Sequence, residues 1–274
     1  MSLVQPVAPS PALLSADRLD ADRRWSAWPG VGPTHPASVA QATIAPRGRP
    51  GGGPTAVRMP NGNYLTIGHN VFGHFGVNAS DRGSVKGFVE RHSKSGDLRA
   101  HSPIFRIPGH PFDVVLEMSP RLLRSIPNIE INPVGDRVAK SRPQAPPADI
   151  TRKRFLELEL IGARDSGPAG AVKIYGGQSG GVLVDPKRGT PLYMCIGAAE
   201  TPRSQFALDW SARFGKLAPT KWLSSPLFDA SRKSNVAYYV PLSTRERDLH
   251  LIEHDRANGT VFRVDRDGTR TALE

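Results

Sequence analysis

The sequence predicts an all-β protein. Its short antiparallel strands fold as two β-barrels or a sandwich, with a leader in front and one helix near the C-terminus. Three observations carry this expectation. Short apolar runs recur along the chain with turn residues between them. Glycine and proline number 27 and 26 in 274 residues, against a hydrophobic share of 38%, a balance that suits a loop-rich β fold. A charged, Pro-rich stretch, "AKSRPQAPPAD" (139–149), separates the runs into two groups and reads as a linker.

In chain order, residues 1–54 are rich in Ala, Pro, Ser and Arg and include "APRGRPGGG". They are expected to form a disordered leader, with at most a short helix around Asp17–Trp25. The first folded half, 55–138, opens with "TAVRMPNGNYLTIG", two strands around an Asn-Gly turn. "SVKGFVERH", "SPIFRI" and "FDVVLEM" read as further strands. The second half, 150–274, supplies "FLELELIGA", "AVKIY", "GGVLVD", "PLYMCIGAA" and "VAYYVPL" as strands. "STRERDLHLIEHD" (243–255) reads as a helix, with Ser243 or Thr244 as its N-cap. "TVFRVDRDGTRTA" closes the chain as a hairpin on Asp267-Gly268.

Composition excludes several classes. The lone Cys195 rules out an intramolecular disulfide framework and a Cys-rich zinc site, and it reads as a buried apolar residue. No run of eighteen apolar residues exists, so no helical membrane span is expected. Asp17, Asp20 and Asp22 interrupt any signal-peptide pattern, which implies a cytoplasmic chain or one exported without a cleaved signal peptide. The net charge of +11 is spread over scattered Arg and Lys with no interleaved aromatics. It reads as a solvated basic surface with no specific nucleic-acid partner.

Three short stretches bear on chemistry. "YLTIGHNVFGHF" (64–75) holds His69 and His74. A five-residue separation matches no common two-histidine ligand pattern, so no metal is expected, and His69 reads as a proton shuttle. His74 reads as a loop or packing residue. In "IYGGQSGGVLVD", Ser179 stands between glycines that permit a tight turn and free backbone N–H groups to converge, as a developing oxyanion requires. In "PFDVVLEM", Asp113 heads an apolar β-run. His69, Asp113 and Ser179 supply, in that order, a base, an orienting carboxylate and a nucleophile. A serine hydroxyl needs an imidazole to take its proton. The imidazole needs a carboxylate to fix its tautomer.

With these motifs the chain resembles the chymotrypsin/trypsin-like serine protease family, in particular its disulfide-free bacterial and viral branches. "LTIGH" matches the family's Thr-x-x-His, "FDVVL" its Asp-led aliphatic strand and "GGQSGG" its Gly-x-Ser-Gly-Gly. "YYVPLS" looks like its last barrel strand before a C-terminal helix, and the likeness runs from about Thr55 to Asp255. The resemblance implies two antiparallel β-barrels and a serine endopeptidase that needs no cofactor and acts on protein or peptide substrates. It implies His69 as general base, Asp113 as its orienter, Ser179 as nucleophile, and the backbone N–H groups of Gly177 and Ser179 as oxyanion hole. Lys173, six residues before Ser179, and Glu200 become candidate substrate-binding residues.

The chain departs from the family at Gln178, where members activated by N-terminal cleavage carry an acid. That implies an oxyanion hole formed without trimming. The segment 203–235, with Trp210 and Trp222, is long for the family and reads as a pocket wall or a surface insertion. Two alternatives stand beside the protease. One is a silent protease-fold protein binding an acidic partner. The other is an α/β-hydrolase elbow at Ser179, which requires a helix straight after the serine and a downstream histidine such as His250 or His254.

Overall fold

A computed structural model describes residues 41–46, 55–106, 111–126, 129–134, 141–162, 166–172, 178–199 and 236–274. Strand predominates in it, and every strand pairing is antiparallel. The first sheet begins where the Asn-Gly signal lies. Strands β2 (Thr55–Arg58) and β3 (Tyr64–Ile67) pair across a turn whose Gly62 takes φ 83°. The turn is closed by Met59 N–H donating to Asn63 O at 2.7 Å and Gly62 N–H to Met59 O at 2.9 Å. Around this hairpin run β1 (Gln41–Pro46), β4 (Leu98–Ala100), β7 (Val115–Met118) and β8 (Ile129–Val134), in the order β4-β7-β3-β2-β1-β8. Strands β5 (Phe105–Arg106) and β6 (Phe112–Asp113) form a separate pair.

The second sheet comprises β9 (Glu159–Ile161), β10 (Ser166–Pro168), β11 (Val182–Asp185), β12 (Thr190–Ala199), β13 (Val236–Pro241), β14 (Leu251–Asp255), β15 (Thr260–Val264) and β16 (Arg270–Ala272). Its order is β10-β9-β11-β12-β13-β14-β15-β16. Among the described residues, neither order returns to its first strand. The linker segment 141–149 carries no regular structure and is tied to the second sheet. There Gln144 N–H donates to Pro191 O at 3.0 Å and Ser141 Oγ to Thr190 Oγ1 at 2.8 Å.

Strand alternation builds the core. On β11, β12 and β13, Val182, Val184, Met194, Ile196, Val236, Tyr238 and Val240 join Val57, Leu65, Ile67 and Val115 of the first sheet in one buried cluster. The intervening residues Leu183, Tyr193, Cys195, Ala237 and Tyr239 pack with Phe155, Ile252 and Val261 on the other face. These central strands are therefore apolar on both faces, which explains why they read as continuous runs.

Four expectations are corrected here. Residues 82–94, read in part as the strand "SVKGFVERH", form helix α1 (Arg82–Lys94). Asp81 caps it, accepting from Gly83 N at 3.1 Å and Ser84 N at 2.9 Å. Val85 and Phe88 face the core at helical spacing, with Val89 packed beside them. The leader does not run unbroken to residue 54, because Gln41–Pro46 pairs with both β2 and β8. "FLELELIGA" begins in a short helix, α3 (Arg152–Leu156), following α2 (Pro120–Arg124), and only then enters β9.

The fourth correction concerns 243–255, expected as a C-terminal helix. It is a single 3-10 turn (Glu246–Asp248) followed by β14. Ser243 takes φ 53° and does not cap it. Two edges, β13 and β15, offer hydrogen bonds along the whole of Leu251–Asp255, and that pairing wins over local helix preference. No described helix is long and apolar enough to cross a membrane.

Candidate functional site

The chain leaves β3 at Ile67 and tightens into a 3-10 turn, Gly68–Asn70, that carries His69. Gly68 is the residue this turn tolerates. A Cβ there would collide with the Phe72 ring and lie 2.8 Å from Asp113 Oδ1. Asp113 arrives from the end of β6, directly before β7, and is buried. Both oxygens of its carboxylate are engaged. Oδ1 accepts from His69 N–H at 3.1 Å and from Val114 N–H at 2.9 Å, and Oδ2 meets His69 Nδ1 at 2.6 Å.

A carboxylate oxygen can only accept, so His69 Nδ1 carries a proton, and in the neutral ring Nε2 presents a lone pair. Ser179 Oγ lies in a short hydrogen bond to that Nε2. The structure thus brings His69, Asp113 and Ser179 together in one line. The His69 side chain is 27% exposed and Ser179 6% exposed, so the bond opens on solvent at the imidazole while the serine is otherwise enclosed.

Ser179 stands in a tight turn in which Gly181 N–H donates to Gln178 O at 2.8 Å. Gly180 takes φ 91°, and a Cβ on it would drive into Thr55 O and lie 2.8 Å from Asn70 Nδ2. Strand β11 follows at Val182, so no helix succeeds the serine, and the elbow expected of an α/β-hydrolase is absent at this position. Substituting alanine for Gly180 is expected to lower the unfolding free energy measured by denaturant titration by about 3 kcal/mol, combining a strained φ with a backbone collision. Gly62→Ala also meets a positive φ but nothing within 4 Å, so it should cost only about 1 kcal/mol. Equal losses would refute the contact account.

His74 sits exposed in the next 3-10 turn, Phe72–Phe75. His250 and His254 are buried around β14; His250 Nδ1 donates to Asp248 O at 2.9 Å, and the His254 ring meets Phe155 edge-on. Gly177, Lys173, Glu200, Trp210 and Trp222 lie outside the described residues. Cys195 is buried in β12, which pushes its thiol pKa up to about 12. Among the described residues, no group of three or more His, Cys, Asp or Glu side chains is placed to hold a metal ion.

Sequence reasoning missed two features. One is a second buried imidazole–carboxylate pair, His101 Nε2 to Glu117 Oε2 at 2.6 Å. Glu117 Oε1 also accepts from Asn61 and Asn63 Nδ2 at 2.6 and 2.8 Å. The His101 bond, with help from both amides, holds the Glu117 carboxyl down to about 2 against its burial. A glutamate inside the apolar run "VVLEM" was the available signal. The other is Asn70, directly after His69, whose buried amide bonds to Ser179 O. No protein-family model matches the chain, and neither a curated protein nor a solved structure shows significant similarity to it.

Proposed function

We propose that the chain is a serine endopeptidase of the chymotrypsin/trypsin-like kind, with its two antiparallel sheets as the two barrels of that fold. The observation that carries the reading is the hydrogen-bonded line from Asp113 through His69 to Ser179. In the proposed reaction Ser179 Oγ attacks a peptide carbonyl carbon while His69 Nε2 takes the hydroxyl proton. Asp113 holds the ring in the required tautomer and stabilises the imidazolium that forms. The carbonyl oxygen becomes an oxyanion, held by the backbone N–H groups of Ser179 and Gly177. His69 returns the proton to the departing amine, and the C–N bond breaks to leave an acyl-serine. Water then attacks the ester with His69 as base, releasing the acid and restoring Ser179. Apart from the hydrolytic water and the substrate, the proposed steps draw on side chains and backbone of this chain. Lys173 and Glu200 are proposed to contact the substrate, and Gln178 leaves the site independent of an ion pair with a newly cut N-terminus.

The test is labelling with a fluorophosphonate followed by mapping of the adduct. The expected result is one phosphonyl group on Ser179, lost when His69 is changed to Ala. A folded chain that leaves Ser179 unmodified refutes the reading.

A further inference from the structure

Among the described residues, a second bond runs beside the first between the turn carrying His69 and the turn carrying Ser179. The first is the imidazole–hydroxyl bond. The second comes from the next residue along, where Asn70 Nδ2 donates to Ser179 O at 2.9 Å. Thr55 N–H donates to the same oxygen at 3.3 Å. On the far side of that peptide, Gly180 N–H donates to Cys195 O at 2.8 Å. The peptide immediately after the serine is therefore held at both of its polar atoms.

The surroundings of the Asn70 amide admit only a donor. Thr66 Oγ1 gives its proton to Thr55 O at 2.9 Å, so toward Asn70 Nδ2, 3.2 Å away, it presents a lone pair. Thr55 O itself lies 3.4 Å from Nδ2. Ser179 O, Thr66 Oγ1 and Thr55 O are all acceptors there, and the NH₂ group meets them in a site where Asn70 is only 7% exposed. Gly180 keeps this approach open, because a Cβ there would lie 2.8 Å from Nδ2.

We infer that Asn70 is a positioning residue for the nucleophile. It fastens the backbone of Ser179 to the turn that carries the base, so that the Oγ–Nε2 alignment is set by two adjacent residues of one turn. The base is supplied by the first sheet and the serine by the second, and with a single cysteine no intramolecular disulfide can tie them. A displacement of about 1 Å at such a site costs on the order of 10²-fold in rate. This inference rests on the serine-protease reading and adds to it the device that registers the site.

The experiment measures the rate constant for fluorophosphonate labelling of Ser179 from pH 5 to 9 in the full chain, in Asn70→Ala and in Asn70→Asp. Reversible partial unfolding would scale the observed rate by the folded fraction, so each rate is divided by the folded fraction measured for that variant under the same conditions. Asn70→Ala is expected to lower the plateau rate about 30- to 100-fold with the midpoint of the pH profile unchanged. Asn70→Asp, nearly the same size, should fall further because its carboxylate faces three acceptors. An Asn70→Ala plateau equal to wild type, before or after division by the folded fraction, overturns the inference and leaves the protease reading standing. A wild-type chain that does not react at Ser179 overturns both.

Discussion

Replacing Ser179 by alanine is expected to lower turnover of any peptide or ester substrate by about 10⁴-fold or more while the fold stays intact. The substitution deletes one hydroxyl. Ser179 O keeps its bonds from Asn70 and Thr55, and His69 keeps its bond to Asp113. Stability should therefore change little, and the whole effect should appear in the rate. His69→Ala should cost about as much. The double variant should cost no more than either single one, because in the proposed mechanism His69 and Ser179 act as a unit. The residual rate would come from the backbone donors that hold the oxyanion. Undiminished turnover in Ser179→Ala refutes the assignment, and additive losses would mean that His69 and Ser179 act separately.

The elements legible in the sequence were those whose signal is local. The β2–β3 hairpin follows from Asn61-Gly62, since the turn needs a positive φ that Gly62 supplies. The closing β15–β16 hairpin follows in the same way from Asp267-Gly268. His69, Asp113 and Ser179, the residues of the proposed triad, each stand in a short motif of their own, and the structure brings them together over separations of 44 and 110 residues. Helix α1 was misread because Val85, Phe88 and Val89 suit a strand by residue type, and only their spacing behind the Asp81 cap favours a helix.

The 243–255 segment failed for the opposite reason. Its polar, charged start looks like a helix cap, yet Glu253 is completely buried, receiving the Tyr238 hydroxyl at 3.0 Å and paired with Arg270. Those partners lie 15 and 17 residues away and only a sheet delivers them. Asn70 escaped notice on the same ground, since its acceptor is 109 residues distant. What the sequence hides is the set of long-range partners that make a buried polar residue tolerable.

Lowering the pH from 7 toward 4 is expected to destabilise the fold steeply, through His250 and His254. Burial lowers the pKa of both to about 4, because an imidazolium there would lose its hydration. Positive neighbours add to this, Arg256 and Arg152 at His254 and Arg263 at His250, against opposing contributions from Asp255 at His254 and from Asp248 and Asp265 at His250. In the unfolded chain each titrates near 6.5. The unfolded state thus binds protons that the folded state refuses, so stability present above pH 6.5 is lost as pH falls through 6.5 toward 4. Each histidine contributes about 3 kcal/mol to that loss by pH 4. Glu117 extends the slope. Its carboxyl, held down to about 2, favours the folded state above pH 4.5 and surrenders that stability as pH falls from there toward 2. Urea midpoints measured at intervals from pH 7 to pH 4 should therefore fall steadily. In His254→Leu, neutral at every pH, about half of the decline between pH 6.5 and 4 should vanish. The readout is the slope, since the leucine also loses the edge contact with Phe155 and shifts the midpoint at neutral pH. A wild-type midpoint that holds level from pH 7 to pH 4.5 would mean that both imidazoles accept protons inside the fold, against the cost that their burial imposes.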